Sequence, residues 1–521
     1  MKTDPRELAS SAGEQLHRFH GGLRLRHNKK VSCQQPVERP PLPTRLYLPL
    51  LQHRGTPATP LVKAGDRVLK GQLIGAAGAR GAPVHAPTSG VVLGLEEGPI
   101  GHLTGQAGTR VVLEPDGEER WTALQPLADW LEQSPEVLRR HIQAAGIVGL
   151  GGAVFPTAEK LASGQAAPVE TLILNGAECE PYISCDEMLM REHPRYIVEG
   201  ARMLRRAAEA ERVVIAIEDQ MGAVHKALDR AARQLGAGSV SVVRIPKIYP
   251  EGGERQLIQT LTGMEVPAGS HPHELGLLVM NVATAAATRT ALKEGKPLLE
   301  RNVTVTGNGV QTPRNLLALL GTPVSHLIAC CGGYSDDVAR LVVGGPMMGV
   351  PLASDASPVV KGTNCLLALS QDDVRAPQPE MPCIRCGDCT RSCPAQLMPQ
   401  DLHFHIRSQQ WDALATLGVE SCIECGCCDF VCPSHIPLTN WFRYGKGELR
   451  ELQREREAAE HARERHEART ARLAQAKAEK AARLARRKAK LADQDGRKQQ
   501  IAAALARAKA GRGNTPEDAD S

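Results

Sequence analysis

A chain of 521 residues is long enough for several domains, and an aromatic share of 3% leaves few rings for stacking single-stranded nucleic acid. The 63 Lys and Arg against 58 Asp and Glu give a net charge of only +5. Much of the base lies after Tyr444, in a tail that also carries Glu, so no nucleic-acid partner is expected. Fifteen cysteines, odd in number and tightly grouped, do not read as a disulfide framework but as metal-binding thiols.

The first residues, MKTDPRELAS, hold no apolar core and no cleavage site, so no signal peptide is expected. No run of 18 apolar residues occurs, so no transmembrane helix is expected either, and a membrane role would be peripheral. Residues 1–44 are polar and irregular, with Pro36, Pro40, Pro41 and Pro43 near their end. From 45 to 130 come short apolar runs cut by Gly and Pro, clearest at Val62–Val68 and Pro83–Val92, which predict a small β sandwich or barrel. Its pair of turns resembles the barrel-sandwich hybrid of lipoyl and biotinyl domains. The Lys70-Gly71 turn does not resemble a modification site, so the module is read as structural.

From 131 to 300 strands alternate with helices. Leu172–Leu174 and Val213–Ile217 read as buried strands, and Ile197–Ala208 and Gly222–Leu235 as amphipathic helices, which predicts a largely parallel α/β sheet. Residues 301–370 return to short strands, Val303–Thr306 and Leu341–Val343, with a helix expected at Leu316–Leu320 between them. In the Cys-rich segment 371–445, Leu402, Phe404, Ile406, Trp411, Leu414 and Leu417 keep helical spacing, which predicts helices rather than hairpins around the cysteines. From 446 to 521 the chain is mostly Ala, Arg, Lys, Glu and Gln: a solvated, partly helical tail whose end, Gly511–Ser521, is expected to be disordered.

Two motifs obey C-x2-C-x2-C-x3-C-P: Cys383, Cys386, Cys389, Cys393 with Pro394, and Cys422, Cys425, Cys428, Cys432 with Pro433. Three thiolates at this spacing wrap one [4Fe–4S] cube, and the fourth ligates the other cluster. The expected sets are therefore Cys383, Cys386 and Cys389 with Cys432, and Cys422, Cys425 and Cys428 with Cys393. Gly387 and Gly426 let backbone amides approach the clusters. A pair of zinc knuckles would have no use for the third Cys or for the repeated Cys-Pro ending. Cys33, Cys179, Cys185, Cys330, Cys331, Cys365 and Cys427 are assigned to neither cluster.

Gly146 to Thr157 is a glycine-rich loop, but not the G-x-G-x-x-G dinucleotide fingerprint. Alone it reads as a structural turn. Asn175-Gly-Ala-Glu178-Cys-Glu180-Pro181, Tyr249-Pro-Glu-Gly252-Gly253-Glu254 and Met280-Asn281-Val-Ala-Thr284 each follow an apolar strand, and α/β sheets place ligands at such strand ends. This set resembles the flavin subunit of respiratory complex I. Residues 20–445 together resemble the C subunit of the Rnf (Rsx) electron-transport complex, including the stretch Gly344–Gly349, and the long Ala/Lys/Arg tail resembles the extended bacterial form of that subunit.

The resemblance implies an α/β multidomain fold: an N-terminal barrel-sandwich hybrid, an α/β flavin-type domain, a β-grasp soluble-ligand-binding module, a helical two-[4Fe–4S] ferredoxin domain and a charged tail. It implies FMN held by Gly149, Gly151, Gly152, Ala153 and Lys160 around phosphate and ring, and by Asn175, Glu178, Asn281 and Thr284 along the ribityl chain and flavin edge. Phe155, Glu180 and Glu254 would face NAD(H). Leu150 and Val154 stand where the complex-I loop has Arg and Gly, Ala177 where it has an acid, and Met280 where it has the first of two Asn.

The function implied is electron transfer between NAD(H) and ferredoxin or another redox protein, coupled to ion translocation by integral-membrane and cluster-binding subunits at the cytoplasmic face of the bacterial inner membrane. The alternative is a relay and docking subunit without an active nucleotide site, in a complex that keeps a redox-sensing transcription factor reduced.

Overall fold

The computed structural model describes residues 16–510 apart from 79, 102–106, 164–167, 375 and 377, so the expected disorder at Gly511–Ser521 lies outside the described residues. Two units separate, Met1–Gly445 and Lys446–Ser521.

The first module holds β1 (Leu46–Pro49), β2 (Thr59–Pro60), β3 (Arg67–Val68), β4 (Leu73–Ala76), β5 (Val84–His85), β6 (Gly90–Pro99) and β7 (Ala107–Pro115). They form two small sheets, β1-β7-β6-β3 and β2-β4-β5, and every pairing in them is antiparallel. The alternating residues Leu46, Leu48, Val111 and Leu113 turn inward and are fully buried, the period-2 signature of a strand with one face on a core. Lys70 is buried, paired with Glu119 and set over the Trp121 ring, which suits a structural side chain rather than a carrier's accessible lysine.

The central domain holds α1 (Pro135–Ala144), α2 (Thr157–Ser163), β8 (Thr171–Gly176), α3 (Cys185–Glu192), α4 (Pro194–Ala208), β9 (Arg212–Glu218), α5 (Gly222–Gln234), β10 (Val240–Ile245), α6 (Glu254–Thr262), β11 (Leu277–Asn281) and α7 (Val282–Glu294). Its four strands are all parallel in the order β10-β9-β8-β11. The chain runs outward from β8 through β9 to β10, then returns to place β11 on the other side of β8. That reversal makes a topological switch point between β8 and β11, where open α/β sheets bind ligands outside the carboxyl ends of the strands.

The third module holds β12 (Glu300–Thr306), β13 (Arg314–Leu319), α8 (Val324–Cys330), β14 (Val338–Val343), β15 (Val350–Pro351) and β16 (Cys365–Ser370), in a mixed sheet of order β13-β12-β16-β14-β15. Here one expectation fails. Leu316–Leu319 is not helix but part of β13, paired antiparallel with β12 from Glu300↔Leu319 to Val305↔Arg314. A short continuous apolar run carries no period that separates buried strand from helix, and the neighbouring strand decides. The helix begins only after Pro323, which cannot continue a strand interior.

The Cys-rich segment is helical, as expected: α9 (Asp388–Ser392), α10 (Pro399–Arg407), α11 (Trp411–Thr416), α12 (Cys427–Val431) and the start of α13 (Leu438–Ala510). In the second unit Lys446 is buried and Glu448, Leu449 and Leu452 are half-buried, and the rest of α13 is almost wholly solvent-exposed, stitched by i,i+3 and i,i+4 pairs such as Glu451–Arg454 and Asp493–Arg497. Among the described residues no helix is long and apolar enough to cross a membrane.

Candidate functional site

The two Cys motifs fold into near-identical backbones. Arg385 and Glu424 both take φ near +57° (56° and 58°), Gly387 and Gly426 sit at 78° and 73°, and Gln396 and His435 both sit at 53°. Left-handed backbone at non-glycine positions costs energy and is kept where a site requires it. The repetition means that two sites of one shape are being built. α9 and α12 pack against each other, and this brings the fourth Cys of each motif to the other motif's loop. One cavity is walled by Cys383, Cys386, Cys389 and Cys432, the other by Cys422, Cys425, Cys428 and Cys393. These are the interleaved sets read from spacing. The cavities are alike in size, about 20 Å3 each, and the four cysteines of one set line each of them. Backbone amides already point at sulfur: Leu397 N–H at Cys393 Sγ and Glu424 N–H at Cys422 Sγ, both 3.4 Å. Four thiols with N–H donors around a compact space fit a [4Fe–4S] cube, whose negative charge such donors stabilise.

The sites differ in exposure. Cys393, Cys425 and Cys428 are buried, whereas Cys383 and Cys386 are exposed, beside Met381 and Ile384 at 54% and 68% exposure. Cys427 is buried against Cys425 and also lines the inner cavity.

At the sheet's switch point, Asn175 and Asn281 are register partners at the ends of β8 and β11. The Gly146–Thr157 loop doubles back there through Gly149 N–H to Phe155 O, 2.8 Å. A Cβ built on Gly151 would lie 3.2 Å from Asn281 Cβ, so the loop rests directly on that strand end. Gly152 takes φ +101° with open space where a side chain would go. Asn175 Nδ2 donates to Gly252 O at 2.8 Å, tying in the Tyr249–Glu254 loop. Lys160 and Glu254 pair with each other at 2.7 Å across the crevice, and Phe155 is 38% exposed at the loop tip. The structure thus brings Gly149, Gly151, Gly152, Lys160, Asn175, Glu254 and Asn281 to the loops at the switch point, while Glu178 and Glu180 turn to other partners. A glycine cradle with room for a ligand, at the end of a parallel sheet, fits the phosphate end of a flavin nucleotide.

Several of the same side chains are already engaged. Thr284 Oγ1 accepts from Leu150 N–H at 3.0 Å, and Asn281 bonds Asp186 and Ala283 N–H, capping α7. Glu178 is buried, accepts the amides of Asp186 and Glu187, and faces Lys29; burial pushes its carboxyl up to about 7 against the pull of Lys29. Glu180 accepts the amides of Met348 (2.8 Å) and Met347 (3.3 Å), and burial raises it to about 7 as well. The Gly344–Gly349 stretch therefore docks on Glu180, a role that no local motif announces.

Sequence reasoning also missed the connection between the two sites. Tyr249, 2% exposed, donates its hydroxyl to Cys425 O at 2.7 Å, and with Cys179, Met347, Leu23 and Ile423 it packs around Cys425 and Cys427. Gln256 on α6 donates to Pro394 O at 3.2 Å. The crevice loops and the inner cluster site share one packed core.

Four families match in chain order: RnfC barrel sandwich hybrid domain at 17–118, Nuo51 FMN-binding domain at 142–289, SLBB domain at 302–351 and 4Fe-4S dicluster domain at 382–436. The cofactors are accordingly FMN and [4Fe–4S] clusters. The C subunit of the ion-translocating oxidoreductase complex of Pseudomonas aeruginosa is 46% identical over 459 residues, 88% of this chain and 59% of that protein. The Edwardsiella ictaluri protein of the same description is 44% identical, and the chain likewise spans 59% of its length. The Rhodobacter capsulatus protein is 43% identical over 439 residues, covering 84% of each chain. Among solved structures, an NAD+-reducing [NiFe]-hydrogenase in the H2-reduced state aligns at 18% identity and TM-score 0.45, over 58% of this chain and 61% of that chain.

Proposed function

Since the chain belongs to the family of C subunits of ion-translocating oxidoreductase complexes, we propose that it carries electrons between NAD(H) and a ferredoxin-type partner, in a complex whose integral-membrane subunits move the ion. The observation that carries this reading is the shared core: Cys179, Tyr249 and Met347 pack between the crevice loops and Cys425, so a flavin in the crevice would have the inner cluster as its neighbour. FMN, when bound, accepts a hydride as two electrons and gives them up singly, which suits one-electron clusters.

In this reading Gly149, Gly151, Gly152 and Ala153 form the phosphate cradle. Asn175, Asn281 and Thr284 hold the loops in register beside the flavin, and Glu178 buttresses the Asn175 loop through Lys29 and the start of α3. Lys160 meets the ring edge, held by Glu254. Phe155 offers an exposed ring for the nicotinamide to stack on, and Glu180, a carboxyl raised by burial, stands between crevice and cluster. Cys422, Cys425, Cys428 and Cys393 would hold an inner cluster and Cys383, Cys386, Cys389 and Cys432 an outer one, each supplying one-electron chemistry, and the exposure of Cys383 and Cys386 would let a partner at the membrane's cytoplasmic face approach the outer one.

The relay reading, without a working nucleotide site, draws on the prior engagement of Asn281, Thr284 and Glu178. Anaerobic purification separates the two. We expect one flavin with about eight iron and eight sulfide per chain, flavin bleaching by NADH, and slower bleaching in Phe155→Ala. Full iron with no flavin would leave the relay reading in its place.

A further inference from the structure

From Gly146 to Thr157 the cradle loop contains no Lys or Arg. A phosphate there would meet amides but no cation of the loop's own. Two cations lie beneath it, both contributed from beyond the α/β domain. Arg301 on β12 is 5% exposed and Lys361 is 1% exposed. Neither forms a carboxylate ion pair among the described residues. Lys361 Nζ donates to Gly146 O at 2.7 Å and Pro83 O at 2.8 Å. Arg301 donates to Leu150 O at 3.3 Å and to Lys361 O. Arg301 also hydrogen-bonds Cys185 and feels the charges of Asp186 and Glu178, and Asp186 is bonded to Asn281. Burial alone acts on Lys361 and pulls its amine down to about 7, with no acid to offset it until an anion is bound nearby.

Burying a cation against carbonyls is costly unless an anion completes it. The geometry says where that anion would sit. In a trans peptide the C=O and the next N–H point in opposite directions. Arg301 draws the Leu150 carbonyl down, so the Gly151 N–H faces away from it, and that amide has no acceptor among the described residues. Thr284 holds the Leu150 amide from the other side. Next to Gly151, Gly152 leaves open space. An unpaired amide beside a glycine, with cations behind the peptide planes, is an anion-binding concavity.

We propose that Arg301 and Lys361 are positioning residues for the flavin phosphate, fixing the cradle peptides by their carbonyls and setting a positive potential under them. The proposal rests on the placing of FMN in this crevice. It makes phosphate recognition depend on residues from the sheet module and its last loop, not on the loop that would touch the phosphate.

Riboflavin lacks the phosphate and is the discriminating probe. The full chain, with clusters intact, is stripped of flavin anaerobically and titrated with FMN and with riboflavin by fluorescence quenching. Arg301→Gln and Lys361→Met should each weaken FMN roughly tenfold or more, as for loss of a charge-assisted bond. Riboflavin affinity should hold within about twofold, and Arg301→Lys should recover most of the FMN affinity. Iron content and melting temperature report folding; if Arg301→Gln does not fold, Lys361→Met and Arg301→Lys decide. Equal losses for both flavins, or unchanged FMN binding in folded variants, would overturn the proposal alone. A wild-type chain that binds neither flavin would overturn it together with the crevice assignment.

Discussion

At the scale of single residues, Glu180 is the side chain whose chemistry is most exposed to test. Its carboxyl is half-buried, bonded by two amides from the Gly344–Gly349 stretch, and raised by burial to about 7. Glu251, 1% exposed, is raised to about 7 for the same reason. A carboxyl raised in the folded state holds its proton where the unfolded chain has lost it. Between about 4.5 and 7 the native state binds more protons, so these groups make stability fall as pH rises through that window. The cofactor-free protein should therefore melt at a higher temperature at pH 6 than at pH 8, and Glu180→Gln should lose part of that difference. The same variant should flatten the pH dependence of flavin bleaching by NADH between pH 6 and 8; an unchanged slope would remove Glu180 from the hydride step. Asn175, Glu178 and Asn281 were legible in the sequence because each ends or follows an apolar strand. The partners that fix them, Lys29 for Glu178 and Met347 and Met348 for Glu180, were not, since they come from about 150 residues away and no local pattern encodes such a contact.

At the scale of elements, the cysteine segment was legible almost completely and the third module less so. Thiolate spacing is a local constraint with one geometric solution, and the interleaving follows from the turn after each Cys-Pro. β13 was misread because Asn-Leu-Leu-Ala-Leu-Leu lacks a period; only its pairing with β12 makes it a strand. The interleaving makes a prediction that two self-contained clusters would not share. Cys432→Ser should lose the outer cluster, about half the iron, and spare the inner cluster's electron-spin signal and flavin bleaching. Adding Cys383→Ser should cost nothing further, because both ligands serve one cluster, while adding Cys393→Ser should remove the remaining iron. Additive losses for Cys383 with Cys432, or loss of the inner signal in Cys432→Ser alone, would show that each motif closes on itself.

At the scale of the whole molecule, the division at Gly445 meets a helix that does not stop there, since α13 runs from Leu438 to Ala510. Its two ends are built for different purposes. Leu438, Thr439 and Phe442 are at most 5% exposed and wall the cluster cavities, and Thr439 N–H donates to Asp429 Oδ1 at 2.9 Å, holding α12 in place. Gly445 allows the helix to pass close to Ile406 and Leu414, where a side chain would collide. Beyond Leu452 the leucines and the isoleucine are at least half exposed, and the ion pairs within the helix are surface pairs worth about 0.3–0.5 kcal/mol each. Among the described residues no cysteine and no buried apolar side chain lies in that stretch. A chain ending at Gly445 should therefore keep its flavin, its iron and its melting temperature. A chain ending at Pro437, only eight residues shorter, should lose iron from both clusters, because the lid on both cavities goes with it. Iron and flavin counts on the two truncations settle the point: equal cofactor content in both would mean that the first turns of α13 are as dispensable as the tail they begin.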